Sequence, residues 1–364
     1  MQLPEKVMIG MSGGVDSSVA AVLLQEAGLE CLGVTLRLYT NEELGLSDRH
    51  TCCSLDDVED ARSAAYRLGI PHYVFTATEQ FEKSVIRHFV ETYEAGGTPN
   101  PCIECNRHLK FSYMLDRARE LGCDFIATGH YARTERRGDG RWLLKKGADG
   151  SKDQSYVLYM LSQEQLARVR FPLGGLTKRE VRRIAEERGL LNAKKHDSQD
   201  ICFVPDGDYA SFIRRYTGKE YPPGDFIDEE GRVLGRHGGM IGYTIGQRRG
   251  LGVSGGRPLY VCEKRTEENT VVLSGNDRLF SDTLYAEGVN LIDRETLSEP
   301  VRCRAKIRYS HREEPCTAVQ VGADAVRVVF DKKQRAITPG QAVVLYDGDV
   351  VIGGATIAGT ELKA

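Results

Sequence analysis

The stretch Val7-Met8-Ile9-Gly10-Met11-Ser12-Gly13-Gly14-Val15-Asp16-Ser17-Ser18 constrains the fold of this chain more than any other. A short apolar run ends at Gly10, a glycine pair follows, and a helical pattern that includes Val19, Val22 and Leu23 begins at once. Strand, tight loop and helix in that order open a parallel α/β sheet. Glycines let the loop curl with its NH groups inward, Ser12, Ser17 and Ser18 add hydroxyl donors, and a helix amino terminus favours anions. Phosphate is the natural guest. A bare Gly-Gly more often only turns a strand into a helix, so the surrounding residues have to carry the reading.

The first half of the chain continues the pattern. Strands are expected at Val7 to Gly10, Cys31 to Leu38, His72 to Thr76 and Asp124 to Thr128. Between the second and third, Ser54 is a candidate N-cap, Leu55, Val58, Ala61, Ala65 and Leu68 form a helical stripe, and Gly69 and Pro71 end it. Further helices are expected from about Arg107 to Leu121 and near residues 178 to 189. From Pro205 turn signals crowd together (PDGDY, YPPGD, DEEGR, RHGGM) and helical periodicity fades. Beyond Asn276, runs at Thr283 to Val289, Val301 to Tyr309, Thr317 to Val321, Ala325 to Asp331 and Ala342 to Tyr346 alternate at strand period. With 364 residues, too many for one core, three domains are expected: 1–204, a parallel-sheet α/β domain; 205–275, a small central domain; and 276–364, a β-barrel or sandwich.

The amino terminus lacks the charged and apolar regions of a signal peptide, and no apolar run is long enough to span a bilayer, so a cytoplasmic protein without a membrane partner is expected. Ten cysteines then read as reduced thiols rather than a disulfide framework. Net charge is −3, from 49 basic and 52 acidic side chains, so only local clusters can argue for a nucleic-acid partner.

Cysteines stand out in two polar stretches. Thr98-Pro99-Asn100-Pro101-Cys102-Ile103-Glu104-Cys105-Asn106 is stiffened by two prolines and holds two thiols before a helix, where thiolate is favoured. Cys202 lies in Asp197-Ser198-Gln199-Asp200-Ile201-Cys202-Phe203. Cys31, Cys123, Cys262, Cys303 and Cys316 read as small buried hydrophobes, and Cys52 and Cys53 stay undecided. Zinc on Cys102, Cys105, His108 and Cys202 ranks below sulfur chemistry.

SGGVDSS lacks the Walker A lysine and the G-x-G-x-x-G spacing, and closely resembles the PP-loop of the ATP pyrophosphatases, which split ATP between its α and β phosphates and adenylate a carbonyl oxygen. The resemblance implies that residues Gly10, Met11, Ser12, Gly13, Gly14, Val15, Asp16 and Ser17 bind ATP, with Asp16 near the pyrophosphate through magnesium, and that Leu36 and Gly129 contact adenosine. GMSGGVDSS, TPNPC-x-x-CN, ATGHYAR, KDQSYVLYML, ICFV and YTIGQRRGLG together resemble the bacterial tRNA-specific 2-thiouridylase family over most of the chain. That likeness implies ATP-dependent 2-thiolation of the wobble uridine, U34, of tRNA. Cys105 takes the nucleophile position, Cys202 the persulfide position, and Asn100, Pro101 and Cys102 lie beside the target base. It implies tRNA contacts at His130, Lys152, Asp153, Gln154, Arg308, Tyr309 and Gln341, and a sulfur-donor protein such as a cysteine desulfurase or sulfur carrier. Position 102 is aspartate in many members and cysteine here, which opens an iron–sulfur cluster on Cys102, Cys105 and Cys202 as an alternative to a metal-free persulfide.

Two basic regions could grip RNA backbone. Arg302, Arg304, Lys306 and Arg308 fall on one face of an expected strand, as a stripe without acids before Glu313 and Glu314. Arg133, Arg136, Arg137, Arg141, Lys145, Lys146 and Lys152 form the second, with acids interspersed, and alone would be a solvated hairpin. Arg248 and Arg249 could also reach backbone. Two other classes compete: a PP-loop enzyme acting on a small metabolite would not need Cys105, Cys202 or a basic barrel, and a non-catalytic tRNA-binding relative would be expected to have lost loop serines, Asp16 or the cysteines.

Overall fold

A computed structural model describes residues 4–40, 55–195, 201–253 and 256–361. Ser54, Cys52, Cys53 and residues 197–200 of the stretch before Cys202 lie outside the described residues. The chain divides into two compact units: residues 1–85, 102–207 and 348–351 form the first, and 86–101, 208–347 and 352–364 the second.

The first unit is built on a parallel sheet. Strands β1 (Lys6–Gly10), β2 (Glu30–Arg37), β3 (His72–Thr76) and β4 (Phe125–Ala127) run in the order β3-β2-β1-β4, and the two-residue strand Val169–Arg170 follows β4. Val7, Met8 and Ile9 are fully buried, as a central strand covered on both faces requires. Helices α1 (Val15–Glu26) and α2 (Leu55–Leu68) cover the sheet, Ala61, Ala64 and Ala65 packing with Val7, Ile9 and Ala21. The other side of α1, through Val15, Val19 and Val22, packs on Val181 and Ala185 of the helix Lys178–Glu187. Apolar contact on both flanks explains why α1 shows little amphipathic pattern in sequence. In such a sheet the order reverses at β1, so the loops after β1 and β4 line the ligand crevice.

Pro101 to Glu120 is helical throughout, as Pro101–Glu104 (α), Cys105–Tyr113 (π) and Met114–Glu120 (α). The helix expected from Arg107 therefore starts six residues earlier, with Pro101 at its first position, where a missing NH costs nothing. Cys102 and Cys105 lie on the helix, not in a loop before it. The hairpin Ala132–Arg136 with Trp142–Lys146 carries most of the second basic region. Three of its cations are paired: Arg133 with Asp349 at 2.8 Å, Lys145 with Glu135 at 3.0 Å, Arg137 with Asp139 at 2.6 Å.

The second unit holds a four-stranded sheet and a barrel. Tyr260–Arg265, Thr270–Ser274, Gly224–Ile227 and Val233–His237 are neighbours in that order around Phe226, Val261, Val271 and Leu273. A helix that the turn-rich sequence did not announce, Tyr209–Thr217, is capped by Asp208 and ended by Gly218 at φ 64°. Phe89 of the helix Arg87–Glu94 packs against its Tyr209 and Phe212 rings at 6.0 and 6.1 Å, which ties residues 86–101 to this unit.

Six antiparallel strands close the barrel: Phe280–Leu291, Ala325–Arg335, Glu314–Gln320, Val301–Lys306, Ala342–Asp347 and Val350–Gly359, with the last pairing back on the first. Its core takes Cys303, Ala305, Cys316, Val326, Val328 and Phe330. The strand Val301–Lys306 turns its arginines outward, but they do not form a bare positive stripe. Arg302 pairs with Asp331, and Arg304 Nη2 donates to the Glu313 carbonyl at 2.7 Å with the Glu313 carboxylate 3.9 Å from its Nε. The counter-charges come from elsewhere in the barrel, which a single-strand pattern does not reveal. Arg308 lies beyond the strand end and donates to the Arg335 carbonyl at 2.7 Å.

Lys264 is the unit's unusual charge. Its Nζ donates to the Tyr243 carbonyl at 2.9 Å and the Gly97 carbonyl at 3.5 Å, and burial pushes its pKa down to about 8 from 10.5. Between pH 8 and 10.5 the unfolded chain then binds the proton that the folded chain has lost, so stability rises with pH across that window. The shift sets an upper bound of about 3 kcal/mol. Lys264→Met should remove this term: the gain of wild type relative to the variant, measured by denaturant unfolding from pH 7 to pH 10, is expected to be positive, and parallel curves would refute the assignment.

Candidate functional site: a phosphate loop and two cysteine segments

The loop after β1 is held open by its own hydroxyls. Ser12 N donates to Ser17 Oγ at 3.2 Å, and Ser17 and Ser18 hydroxyls donate to the Gly14 carbonyl at 3.1 and 3.2 Å. Thr35 on β2 donates to the Met11 carbonyl at 2.7 Å. Gly13 has φ 71°, and a Cβ there would lie 2.5 Å from the Asp57 carbonyl oxygen, so only glycine fits. Gly129, in the loop after β4, comes so close that its Cβ would stand 2.9 Å from both Asp16 C and Ser17 N. The loop after β4 therefore meets the first turn of α1 backbone to backbone, and Gly10 through Ser17 and Gly129 border one cradle. Leu36, the next-to-last residue of β2, lies at the same edge of the sheet.

Three residues of this cradle escape a sequence reading. Lys178 Nζ lies 2.8 Å from both carboxylate oxygens of Asp16, and Tyr131 OH donates to Asp16 Oδ1 at 2.8 Å. Asn192 Nδ2 donates to the Gly13 carbonyl at 3.0 Å and Ser18 Oγ at 2.9 Å. The Thr177-x-x-Glu180 capping box that starts the Lys178 helix is readable as a helix start, but nothing in it points to Asp16, 162 residues away. Asp149 Oδ2 accepts from Lys178 N at 3.0 Å, and Gln154 Oε1 accepts from Tyr131 N at 2.9 Å.

The residues implied as RNA contacts in this unit are embedded in that scaffold. Asp153 accepts from Gly147 N and Ser155 N, both at 3.1 Å, and from the Ser155 hydroxyl at 2.9 Å; Lys152 N donates to the Asp149 carbonyl. His130 is buried between Phe111 and Phe171, with Nδ1 2.7 Å from Thr128 Oγ1. Burial, with Lys110 nearby, holds its pKa well below the usual value, so the ring is neutral at neutral pH. In the second unit Gln341 Nε2 donates to the Thr98 and Pro99 carbonyls at 2.9 and 3.2 Å, fixing the backbone ahead of Asn100 and Pro101, and Tyr309 is exposed.

The two cysteine segments approach the same end of the first unit's sheet. Tyr39, just past β2, donates its hydroxyl to the Cys202 carbonyl at 2.6 Å. Phe81 packs between Tyr39 and Phe203, 5.7 Å from each ring, and its helix Thr78–Phe81 touches the π-helical segment that starts at Cys105. Asn106, fully buried, donates to the Val157 carbonyl at 3.0 Å and fixes the residue after Cys105. Cys102 is exposed, and Cys105 and Cys202 are half-buried. Among the described residues no three histidine, cysteine or acidic side chains converge as metal ligands. As placed, Cys102, Cys105, Cys202 and His108 are not gathered into a metal site; Cys202 is held through its carbonyl by Tyr39, and Cys102 is exposed on its helix.

Fold and site define an ATP-binding α/β domain of the PP-loop type, joined to two β-rich modules. Family models match end to end: a tRNA methyl transferase HUP domain over residues 5–206, a tRNA methyl transferase PRC-barrel domain over 210–275 and an aminomethyltransferase beta-barrel domain over 281–357. Curated relatives include the tRNA-specific 2-thiouridylase MnmA of Clostridioides difficile, 49% identical over 98% of this chain and 99% of that one, and its namesake in Acetivibrio thermocellus, 51% identical over 97% and 99%. Among solved structures, a 4-thiouridine synthetase–RNA complex with bound ATP aligns over 59% of this chain and 50% of that chain at 19% identity with a TM-score of 0.38, too low to transfer any residue. The chain belongs to the tRNA-specific 2-thiouridylase family.

The Asp16–Lys178 pair is mostly shielded from water, so removing one partner strands the other. In a double-mutant cycle by urea unfolding, Asp16→Asn and Lys178→Met should each destabilise, and the double variant by less than their sum, with a coupling of about 1–3 kcal/mol. Additive losses would mean that the contact contributes nothing.

Proposed function

We propose that this chain is an ATP-dependent tRNA-uridine 2-sulfurtransferase acting on the wobble uridine, U34. The observation that carries the proposal is the arrangement in the first unit: a phosphate cradle at the switch point, with Cys202 tied by Tyr39 to the end of the neighbouring strand β2. A uracil 2-carbonyl resists a sulfur nucleophile until its oxygen becomes part of a leaving group. In the first step that oxygen attacks the ATP α-phosphorus, and pyrophosphate departs. Loop NH groups and the α1 amino terminus receive the charge on the phosphates.

In the second step the terminal sulfur of a Cys202 persulfide attacks C2 and AMP leaves with the oxygen. The Cys105 thiolate then attacks the Cys202 sulfur, which releases 2-thiouridine and leaves a Cys105–Cys202 disulfide for a thiol to reduce. Cys105 lies four residues into the helical stretch that begins at Pro101. Cys102 lies with Asn100 and Pro101 beside the extruded base, and Leu36 and Gly129 beside adenosine. Asp16 is the residue that would hold magnesium, whose charge would offset that of the phosphates. The fit is chemical: a carboxylate at a phosphate loop, already facing a cation in Lys178. Of the three thiols, the persulfide route uses Cys105 and Cys202 alone.

Arg308, Tyr309 and Gln341, with Lys152, engage tRNA backbone or bases, Asp153, Gln154 and His130 shape the surface beside Lys152, and a cysteine desulfurase or sulfur carrier loads Cys202 in the cytoplasm. Among the described residues no helix is long and apolar enough to cross a membrane. A PP-loop enzyme acting on a small metabolite is disfavoured by the family membership.

The two half-reactions should separate. Asp16→Ala is expected to abolish tRNA-dependent pyrophosphate release, whereas Cys105→Ala and Cys202→Ala should keep pyrophosphate release and lose 2-thiouridine in nucleoside mass spectrometry by at least about a hundredfold, as loss of a covalent nucleophile implies. Thiolation by Cys202→Ala at wild-type rate would overturn the sulfur route.

A further inference from the structure

We propose that Cys303 and Cys316 are an oxidation site: they form a reversible cross-strand disulfide inside the barrel, which locks the turn bearing Arg308 and Tyr309. The two residues are direct partners in the antiparallel register of Val301–Lys306 and Glu314–Gln320. Their sulfurs touch at 3.6 Å without a bond. A disulfide needs about 2.05 Å, so the sulfurs must close by about 1.5 Å, and opposed strand residues already place their Cβ atoms near the span that a disulfide accepts. Side-chain rotation with a slight strand approach suffices.

The pair is chemically unequal. Cys303 is slightly exposed and Cys316 fully buried. The Cys303 thiol is held below its usual range by the hydrogen bond from Cys316 and by the cations of Arg294 and Arg302, while that hydrogen bond and burial push Cys316 up. Burial pushes the thiols of Cys31, Cys123 and Cys262 up. One sulfur is thus set to attack and the other to resolve.

The oxidant is a small hydroperoxide. The Cys303 thiolate attacks its distal oxygen, the O–O bond breaks, and a sulfenic acid forms. The Cys316 sulfur then attacks the Cys303 sulfur; the S–S bond forms, and the departing hydroxide takes the Cys316 proton as water. Two thiols and one hydrogen peroxide give one disulfide and two waters, with two electrons passing from the sulfurs to the O–O bond. A thiol reductant returns both. The closed segment, residues 303–316, contains Arg308 and the exposed Tyr309. The consequence for tRNA rests on the proposed function, whereas the cross-link does not.

The test uses the full chain with Cys105→Ala and Cys202→Ala, so that disulfides of the reaction cysteines are absent. After hydrogen peroxide, thiol blocking under denaturing conditions and digestion, a peptide joining Cys303 to Cys316 and lacking two hydrogens is expected. Dithiothreitol should release it, and the thermal midpoint should rise with its yield. Cys303→Ser and Cys303→Ala should each abolish both effects, and agreement between them separates loss of the thiol from misfolding of either one. Recovery of both cysteines in blocked form while Cys102 oxidises would overturn the site. A cross-linked protein whose tRNA affinity stays within twofold of the reduced form would overturn the link to the Arg308–Tyr309 turn.

Discussion

The carboxylate of Asp16 joins parts of the first unit that the chain keeps far apart. It belongs to the first turn of α1, takes both its oxygens to Lys178 and shares one with Tyr131. Lys178 opens the helix that walls α1, and its own NH is received by Asp149. Tyr131 follows the loop after β4, and its NH is received by Gln154. Without this knot the loop after β1 would lack its neighbours. A lysine facing the carboxylate also means that a cation stands there before nucleotide arrives, so the acidic group does not repel incoming phosphate.

This knot recasts the residues assigned to RNA in the first unit. Asp153 and Gln154 use their side chains to shape a turn and hold Tyr131, and His130 is a neutral ring between two phenylalanines. Their contribution to tRNA binding would be made by fixing a surface. The outward arginines of the barrel tell a related story. With 49 basic and 52 acidic side chains, cations that line up in sequence acquire partners in space, as Arg302 does with Asp331 and Arg304 with Glu313.

What could be read from the sequence was whatever is local. β1 to β3, α2 and most barrel strands carry their apolar periodicity in a few consecutive residues. The strand Val350–Gly359 was not legible, because Gly353, Gly354 and Ala355 lack the branched side chains that mark strands. The helix start at Pro101 was hidden because two prolines suggest a stiff loop as readily as a first helical turn. The phosphate loop and the cysteines were legible as chemistry in short motifs. Lys178, Tyr131 and Asn192 were not, since each acts through a contact more than a hundred residues away along the chain. Cys303 and Cys316 look like ordinary core residues until the register sets them opposite each other.

The π-helical segment Cys105–Tyr113 has a geometric effect of its own. Each turn of π-helix takes up more residues than an α-turn, so side chains before and after it are rotated relative to the positions that an uninterrupted α-helix would give them. In an α-helix, burying Leu115 and Ala118 would also dictate which way Cys102 and Cys105 point. Here the two ends are set apart by the winding between them. The carboxyl-terminal end can obey the packing of the sheet while the amino-terminal end aims its sulfurs by a separate rule, and one continuous rod serves as both anchor and pointer.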